Sequence, residues 1–165
     1  MAWYTTEIRL YAYAGSNPVS NVDPLELFLW LWEQPVTVVG GTGEQQATVD
    51  ATLARILSTP RGQQLEDQIR GPWYWHGSPK TLHINCDKND SGEVGGSNFW
   101  VDPNREVVLD MDIGPVTASL QRIIAHELGH TLGTDDDGPG RMNNVNLNEN
   151  PISTQLGEYY HRIRY

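Results

Sequence analysis

The chain has one cysteine, Cys86, two phenylalanines, and only 11 basic residues against 21 acidic ones. A single cysteine permits no internal disulfide, so folding does not depend on an oxidising compartment, and a cysteine-rich zinc site is excluded. The net charge of −10 repels phosphate backbones and argues against nucleic acid as a partner. Long apolar runs are also missing. The most apolar stretch, Leu25 to Trp32, is interrupted by Glu26 and falls far short of the roughly 20 residues that span a bilayer. Met1-Ala2-Trp3-Tyr4-Thr5-Thr6-Glu7 has no basic region followed by an apolar core, so no cleavable signal peptide is expected.

What is present suffices for a core. Hydrophobic residues make up 38%, with six Trp and seven Tyr, and the 16 Gly and 10 Pro imply a loop-rich fold. The length of 165 residues fits a single domain, with residues 1–35 as a loosely attached N-terminal segment.

Thr5 to Ala14 is β-prone, and Asp23-Pro24-Leu25-Glu26 has the form of a helix start. Val36 to Val39 reads as a strand. Val49, Leu53, Ile56 and Leu57 sit at helical spacing, and a second helical piece follows Pro60 with Leu65 and Ile69 on one face. Thr81 to Cys86 reads as a strand and Asn89 to Ser97 as a loop. Asn98 to Val101, Asp102-Pro103-Asn104, then Glu106 to Met111 read as a β-hairpin. Gly114-Pro115 is expected to open the next helix, whose apolar positions are Leu120, Ile123, Ile124, Leu128 and Leu132.

That helix carries His126-Glu127-Leu128-Gly129-His130, an H-E-x-x-H pattern. Residues four apart share one helix face, so His126 and His130 can address one metal ion, while Glu127 reaches a water on it as general base. The chemistry implied is that of a zinc hydrolase. Catalytic zinc takes three protein ligands and leaves a position for water. Two acids compete for the third. Asp136 completes H-E-x-x-H-x-x-G-x-x-D, with Gly133 as the sharp stop that returns the chain, and Met142 follows as a candidate Met-turn. Glu149 lies 23 residues after His126, a spacing that lets a returning segment offer a carboxylate.

The stretches Gln121 to Gly133, Met142 to Ile152, Leu156-Gly157-Glu158 and Arg162 to Tyr165 resemble the metallopeptidase toxin domains of bacterial effectors. These include C-terminal domains of type VI secretion spike proteins and, more distantly, zinc peptidases injected by type III systems. Thr59 to Leu65 is similar to an upstream helix-break-helix segment of the same proteins, so the resemblance runs over roughly Val36 to Tyr165. It implies a compact α+β zincin-like domain, with the motif helix packed on a small twisted sheet. It also implies Glu149, before Asn150-Pro151, as third zinc ligand, which makes Glu149 the favoured acid over Asp136.

The expected activity is zinc-dependent hydrolysis of peptide bonds by a secreted or delivered effector lacking a cleavable leader, or else by a cytoplasmic protein. Partners would be a protein or peptide substrate and a cognate immunity protein. Tyr159, Tyr160, His161, Arg162 and Tyr165 are the candidate donors to the oxyanion or substrate. The hairpin ending at Met111 could offer a strand edge to an extended peptide. Two other readings remain open: a zinc amidase acting on cell-wall peptides, and a zincin-fold binding module without turnover, using its aromatic surface. Asp135 to Asp137 lack the alternating order of a calcium loop and read as a solvated turn. Trp73, Tyr74 and Trp75 read as core sooner than as a sugar platform. His76, His83 and Cys86 read as ordinary structural residues.

Overall fold

The computed structural model describes residues 34–71, 79–84, 92–93 (main chain) and 96–165. The expectations for Thr5–Ala14, Asp23–Trp32, Trp73–His76 and Cys86 lie outside the described residues. Apart from Gln34, the described residues belong to one unit, Pro35–Tyr165.

The architecture is α+β, as expected. Strand β1 (Val36–Gly40) leads through α1 (Gly43–Leu57) and α2 (Pro60–Arg70) to β2 (Lys80–Ile84). Then come β3 (Gly92–Glu93), β4 (Asn98–Val101), β5 (Val108–Met111) and β6 (Gly114–Thr117). The motif helix α3 spans Leu120–His130, and α4 spans Asn150–Gln155. One sheet has the order β1-β2-β4-β3, with β1, β2 and β4 parallel and β3 antiparallel to β4. The other is the β5–β6 pair.

Local chemistry explains the boundaries. Helix α1 begins six residues before Val49, the first of the spaced apolar positions, because Thr42 and Gln45 form a reciprocal capping box at its start. Helix α2 is capped by Thr59, has Pro60 in its first turn and stops at Gly71, whose φ is +72°. The two helices touch closely at Gly62, where a Cβ would stand 1.9 Å from the Ile56 carbonyl oxygen.

The expected hairpin between Asn98–Val101 and Glu106–Met111 does not form. Both segments are strands, but β4 is already paired on one side with β2 and on the other with β3, so neither edge is open to β5. β5 turns at Asp112-Ile113 instead and pairs with Gly114–Thr117, with Met111 opposite Gly114. Gly114-Pro115 therefore begins a strand, and the helix starts only at the Ser119 cap.

The core lies between one face of the four-stranded sheet and the helices. Strand β2 alternates strictly, burying Lys80, Leu82 and Ile84, while Phe99 and Val101 extend the same face on β4. Val49, Leu53 and Ile56 of α1, Leu65 and Ile69 of α2, and Ile124, Ala125 and Leu128 of α3 close on it, joined by Ile152 of α4. Truncating a side chain such as Leu128, which has no exposed surface, to Ala would cost about 2–5 kcal/mol. The buried Lys80 ammonium donates to the carbonyls of Gly96 and Thr131 and so ties the sheet to the C-terminal end of α3.

Candidate metal centre

Helix α3 is held at its start by Ser119, whose hydroxyl accepts from the Arg122 amide at 3.3 Å. Residues 124–129 are all buried, His126 at 8% exposure and Glu127 at 7%. Burying titratable groups is costly unless they are partnered, so their surroundings matter.

The ring nitrogens can be assigned from their partners. His130 Nδ1 lies 2.9 Å from the Thr134 carbonyl oxygen, which can only accept. The ring must donate there, which leaves Nε2 of the neutral imidazole as a lone-pair acceptor. His126 Nδ1 lies 3.0 Å from Glu149 Oε2, and donation to that carboxylate again leaves Nε2 as the acceptor. The two Nε2 atoms face each other at 3.1 Å. Asp136 Oδ2 completes the group, 3.1 Å from His130 Nε2 and 3.4 Å from His126 Nε2. Asp136 Oδ1 is buried with no hydrogen-bond partner. Three electron-pair donors thus converge with nothing positive between them unless a histidine takes a proton. A cation resolves the conflict, and the atoms, all within 4.8 Å of one another, could hold a metal ion. The electrostatics agree. Burial alone would lower the His126 pKa, but its hydrogen bond to Glu149 and the charges of Glu149, Glu127 and Asp136 leave it raised.

The chain reaches this arrangement by two turns. Gly133, at φ +78°, lets the backbone reverse just after α3 and bring Asp136 back to the histidines. Further on, Val145–Glu149 forms a wide π turn that leads straight into α4. Glu149, favoured on sequence as third ligand, is placed by that turn against the opposite ring nitrogen of His126. It is 1% exposed and both its oxygens are occupied. Oε1 accepts from Arg122 Nη1 at 3.0 Å, and Oε2 from His126 and from Arg162 Nη1 at 3.2 Å. Burial pushes the Glu149 carboxyl up, but the His126 hydrogen bond and the charges of His126 and Arg162, with Arg122 beside them, hold it below the usual range. Of the two acids, Asp136 is the one that joins the group of facing ring nitrogens.

A second line of contacts grips the main chain of the motif. Asn144 Nδ2 donates to the His126 carbonyl at 2.8 Å, Asn148 Nδ2 donates to Asn144 Oδ1 at 2.7 Å, and Arg61 of α2 donates to Asn148 Oδ1. Gly129 makes room for them: a Cβ there would stand 2.1 Å from Asn144 Oδ1. Neither these asparagines nor Arg122 is singled out by the sequence reading. Arg122 carried a usable signal, since it precedes His126 by one helical turn and so shares its face.

The five tail candidates are separated by the structure. Tyr159 is 81% exposed. Tyr160 packs on the Arg122 guanidinium, 5.3 Å from its ring centroid, and its carbonyl accepts from Arg122. His161 Nε2 meets the Thr154 hydroxyl at 3.0 Å. Arg162 is spent on Glu149, and its main chain bridges to Met111 of β5. Tyr165 alone among the aromatic candidates lines the cavity beside the motif. Its ring lies 6.0 Å from that of His126, with the guanidinium groups of Arg141 and Arg162 at 4.5 and 4.6 Å from the Tyr165 ring centroid. Burial and the adjacent Asp136 carboxylate push its phenol up to about 12, so it keeps its proton at neutral pH. The cavity has a volume of about 190 Å³, and its lining includes His126, Glu127, Arg122, Leu109 of β5 and Tyr165. Met142, the candidate Met-turn residue, is buried but does not line this cavity. His83 stacks on Trp100 across the sheet, with ring centroids 4.9 Å apart, and takes no part.

No helix among the described residues is long and apolar enough to cross a membrane. No family model matches the sequence, and no curated protein matches it. Among solved structures, the chain is similar to a Salmonella zinc metalloprotease effector, GtgA. The match has a TM-score of 0.59 at 12% identity and covers 96% of this chain and 90% of that one. At that identity the likeness is one of fold: this chain has the α+β fold of an effector zinc metalloprotease.

Proposed function

We propose that the protein is a zinc-dependent peptide hydrolase in which His126, His130 and Asp136 hold the metal. The observation that carries this reading is the convergence of two histidine lone pairs and one carboxylate, with a partnerless buried oxygen on Asp136. Two imidazoles and one carboxylate form a zinc donor set that leaves a position for water. When bound, zinc would acidify that water and polarise the scissile carbonyl.

The remaining roles fall to the chain itself. Glu127, on the cavity wall, takes the proton from the water and delivers it to the leaving amine. Glu149 holds His126 by its Nδ1–H and keeps Nε2 directed at the metal, a carboxylate–histidine pairing that supports metal sites generally. Tyr165, protonated and facing the same cavity, is the donor to the developing oxyanion. The substrate would be an extended peptide. Val107, just before β5, and Leu109 of β5 supply an apolar wall along which it would lie. The likeness to an effector protease supports delivery into a target cell as the setting.

A bound metal without turnover would give Glu127 no duty. Replacing Glu127 with Ala should leave zinc stoichiometry intact and reduce peptide hydrolysis by about 10²–10⁴-fold. Undiminished hydrolysis at full zinc occupancy would refute the assignment.

A further inference from the structure

Asn150 opens α4 directly after Glu149 and is almost fully buried. Its Oδ1 accepts from the main-chain N–H of Arg162 at 2.9 Å, and its Nδ2 donates to the Arg162 carbonyl at 3.1 Å. Oδ1 also accepts from Arg122 Nη1 at 2.9 Å. Two donors on one side of the amide and a carbonyl on the other leave it a single orientation.

These contacts complete a short strand. Met111 of β5 stands opposite Arg162 in an antiparallel bridge. The Asp112 amide donates to the His161 carbonyl at 2.9 Å, and the Ile163 amide donates to the Asp110 carbonyl at 3.0 Å. In such a pairing the main-chain groups of successive residues alternate between the two edges, so those of Arg162 face away from β5. On that side the Asn150 amide stands where the backbone of a further strand would be, and it satisfies both groups.

Arg162, fixed in this way, carries Tyr165. Its Nε donates to the Arg164 carbonyl at 2.9 Å, and its guanidinium lies 4.6 Å from the Tyr165 ring centroid. Two adjacent residues thus hold two different parts of the site. Glu149 holds the ring of His126, and Asn150 holds the segment that brings Tyr165 to the cavity. Arg122 Nη1 touches both, at 3.0 Å from Glu149 and 2.9 Å from Asn150.

We infer that Asn150 is a positioning residue for Tyr165, acting through the main chain of Arg162. The inference rests on the peptide hydrolase reading and on Tyr165 as the oxyanion donor.

Asn150→Ala is compared with the unaltered chain, each with and without Tyr165→Phe, and all loaded with zinc. Isotope-labelled tyrosine gives the ring signal of Tyr165 by NMR, identified as the one that Tyr165→Phe removes. Hydrolysis of casein gives kcat and KM. Asn150→Ala should keep its zinc, move the Tyr165 signal towards that of a tyrosine in an unfolded peptide, and lower kcat about tenfold with KM little changed. In the Tyr165→Phe background the same substitution should change kcat by less than about twofold, because the two act as a unit. Asn150→Asp keeps the size and the Arg122 contact but sets an oxygen against the Arg162 carbonyl. It should act in the same direction on both readouts, and it carries the test if Asn150→Ala does not fold. An unmoved Tyr165 signal overturns the inference. So does a kcat loss that is equal in both backgrounds, or an unchanged kcat where Tyr165→Phe lowers it. Full kcat in Tyr165→Phe alone counts against Tyr165 as donor, and absence of cleavage counts against the hydrolase reading. In either case the ring signal decides: displaced in the Asn150 variants it upholds the positioning role, and unmoved it overturns it.

Discussion

Asp136 and Glu149 are two acids that follow the same helix, one on a glycine-governed turn and one in a helical segment packed against it. Glu149 is buried to 1% exposure, and both its oxygens are taken by Arg122, Arg162 and His126. Asp136 shares one oxygen between the facing nitrogens of His126 and His130 and leaves the other buried without a partner. A carboxylate whose lone pairs are all engaged is a support. A carboxylate with an unmet acceptor beside two lone-pair nitrogens is the one we propose as the metal ligand. Satisfaction, more than spacing or burial, separates the two roles.

The largest effect should follow from Asp136→Ala. Loss of the third ligand should strip zinc at micromolar concentrations and remove several kcal/mol of transition-state stabilisation, on the order of a thousandfold in rate. The fold should survive, since Asp136 lies on a turn and its Oδ1 makes no hydrogen bond. Zinc content by atomic emission beside a thermal melt checks both halves. Tyr165→Phe, on the same side of the comparison, should retain zinc and lower kcat by about a hundredfold.

Glu149→Gln should show the opposite balance. Zinc affinity should weaken by about 10–100-fold, as for other groups that orient a ligand histidine. Stability should fall by about 3–5 kcal/mol, because Arg122 and Arg162 lose their shared carboxylate in a buried setting. If Glu149→Gln loses all its zinc while Asp136→Ala keeps it, the roles are reversed.

A smaller effect lies in the pH dependence of the metal-free protein. Glu149 titrates below its ordinary 4.5, so its contribution is present above pH 4.5 and disappears as pH falls through the lowered value. His126 titrates above its ordinary 6.5, so its contribution is present below pH 6.5 and disappears as pH rises through the raised value. The stability gap between wild type and Glu149→Gln, read from urea midpoints in chelator, should be widest between those two pH values. A gap that does not vary with pH would remove the ion pair from the account.

The same contrast explains what the sequence could reveal. His126, Glu127, His130 and the Gly133 stop were legible because they obey local rules: helical periodicity and the left-handed freedom of glycine. The two helices Gly43–Leu57 and Pro60–Arg70 were legible by their apolar spacing for the same reason. The choice between Asp136 and Glu149 was not legible, because it depends on which ring nitrogen each acid meets. That is decided by the π turn at Val145–Glu149 and by Arg122 and Arg162, which approach from distant positions in the chain. The exchange of the expected hairpin for the β5–β6 pair has a similar origin, since only the parallel pairing of β4 with β2 reveals that β4 has no edge left.

A crystal structure of the zinc-loaded protein tests the central claim most directly. The account predicts an Asp136 oxygen about 2.0–2.2 Å from zinc beside both Nε2 atoms, with Glu149 still on His126 Nδ1. A Glu149 oxygen at that distance from the metal, with Asp136 turned away, would contradict it.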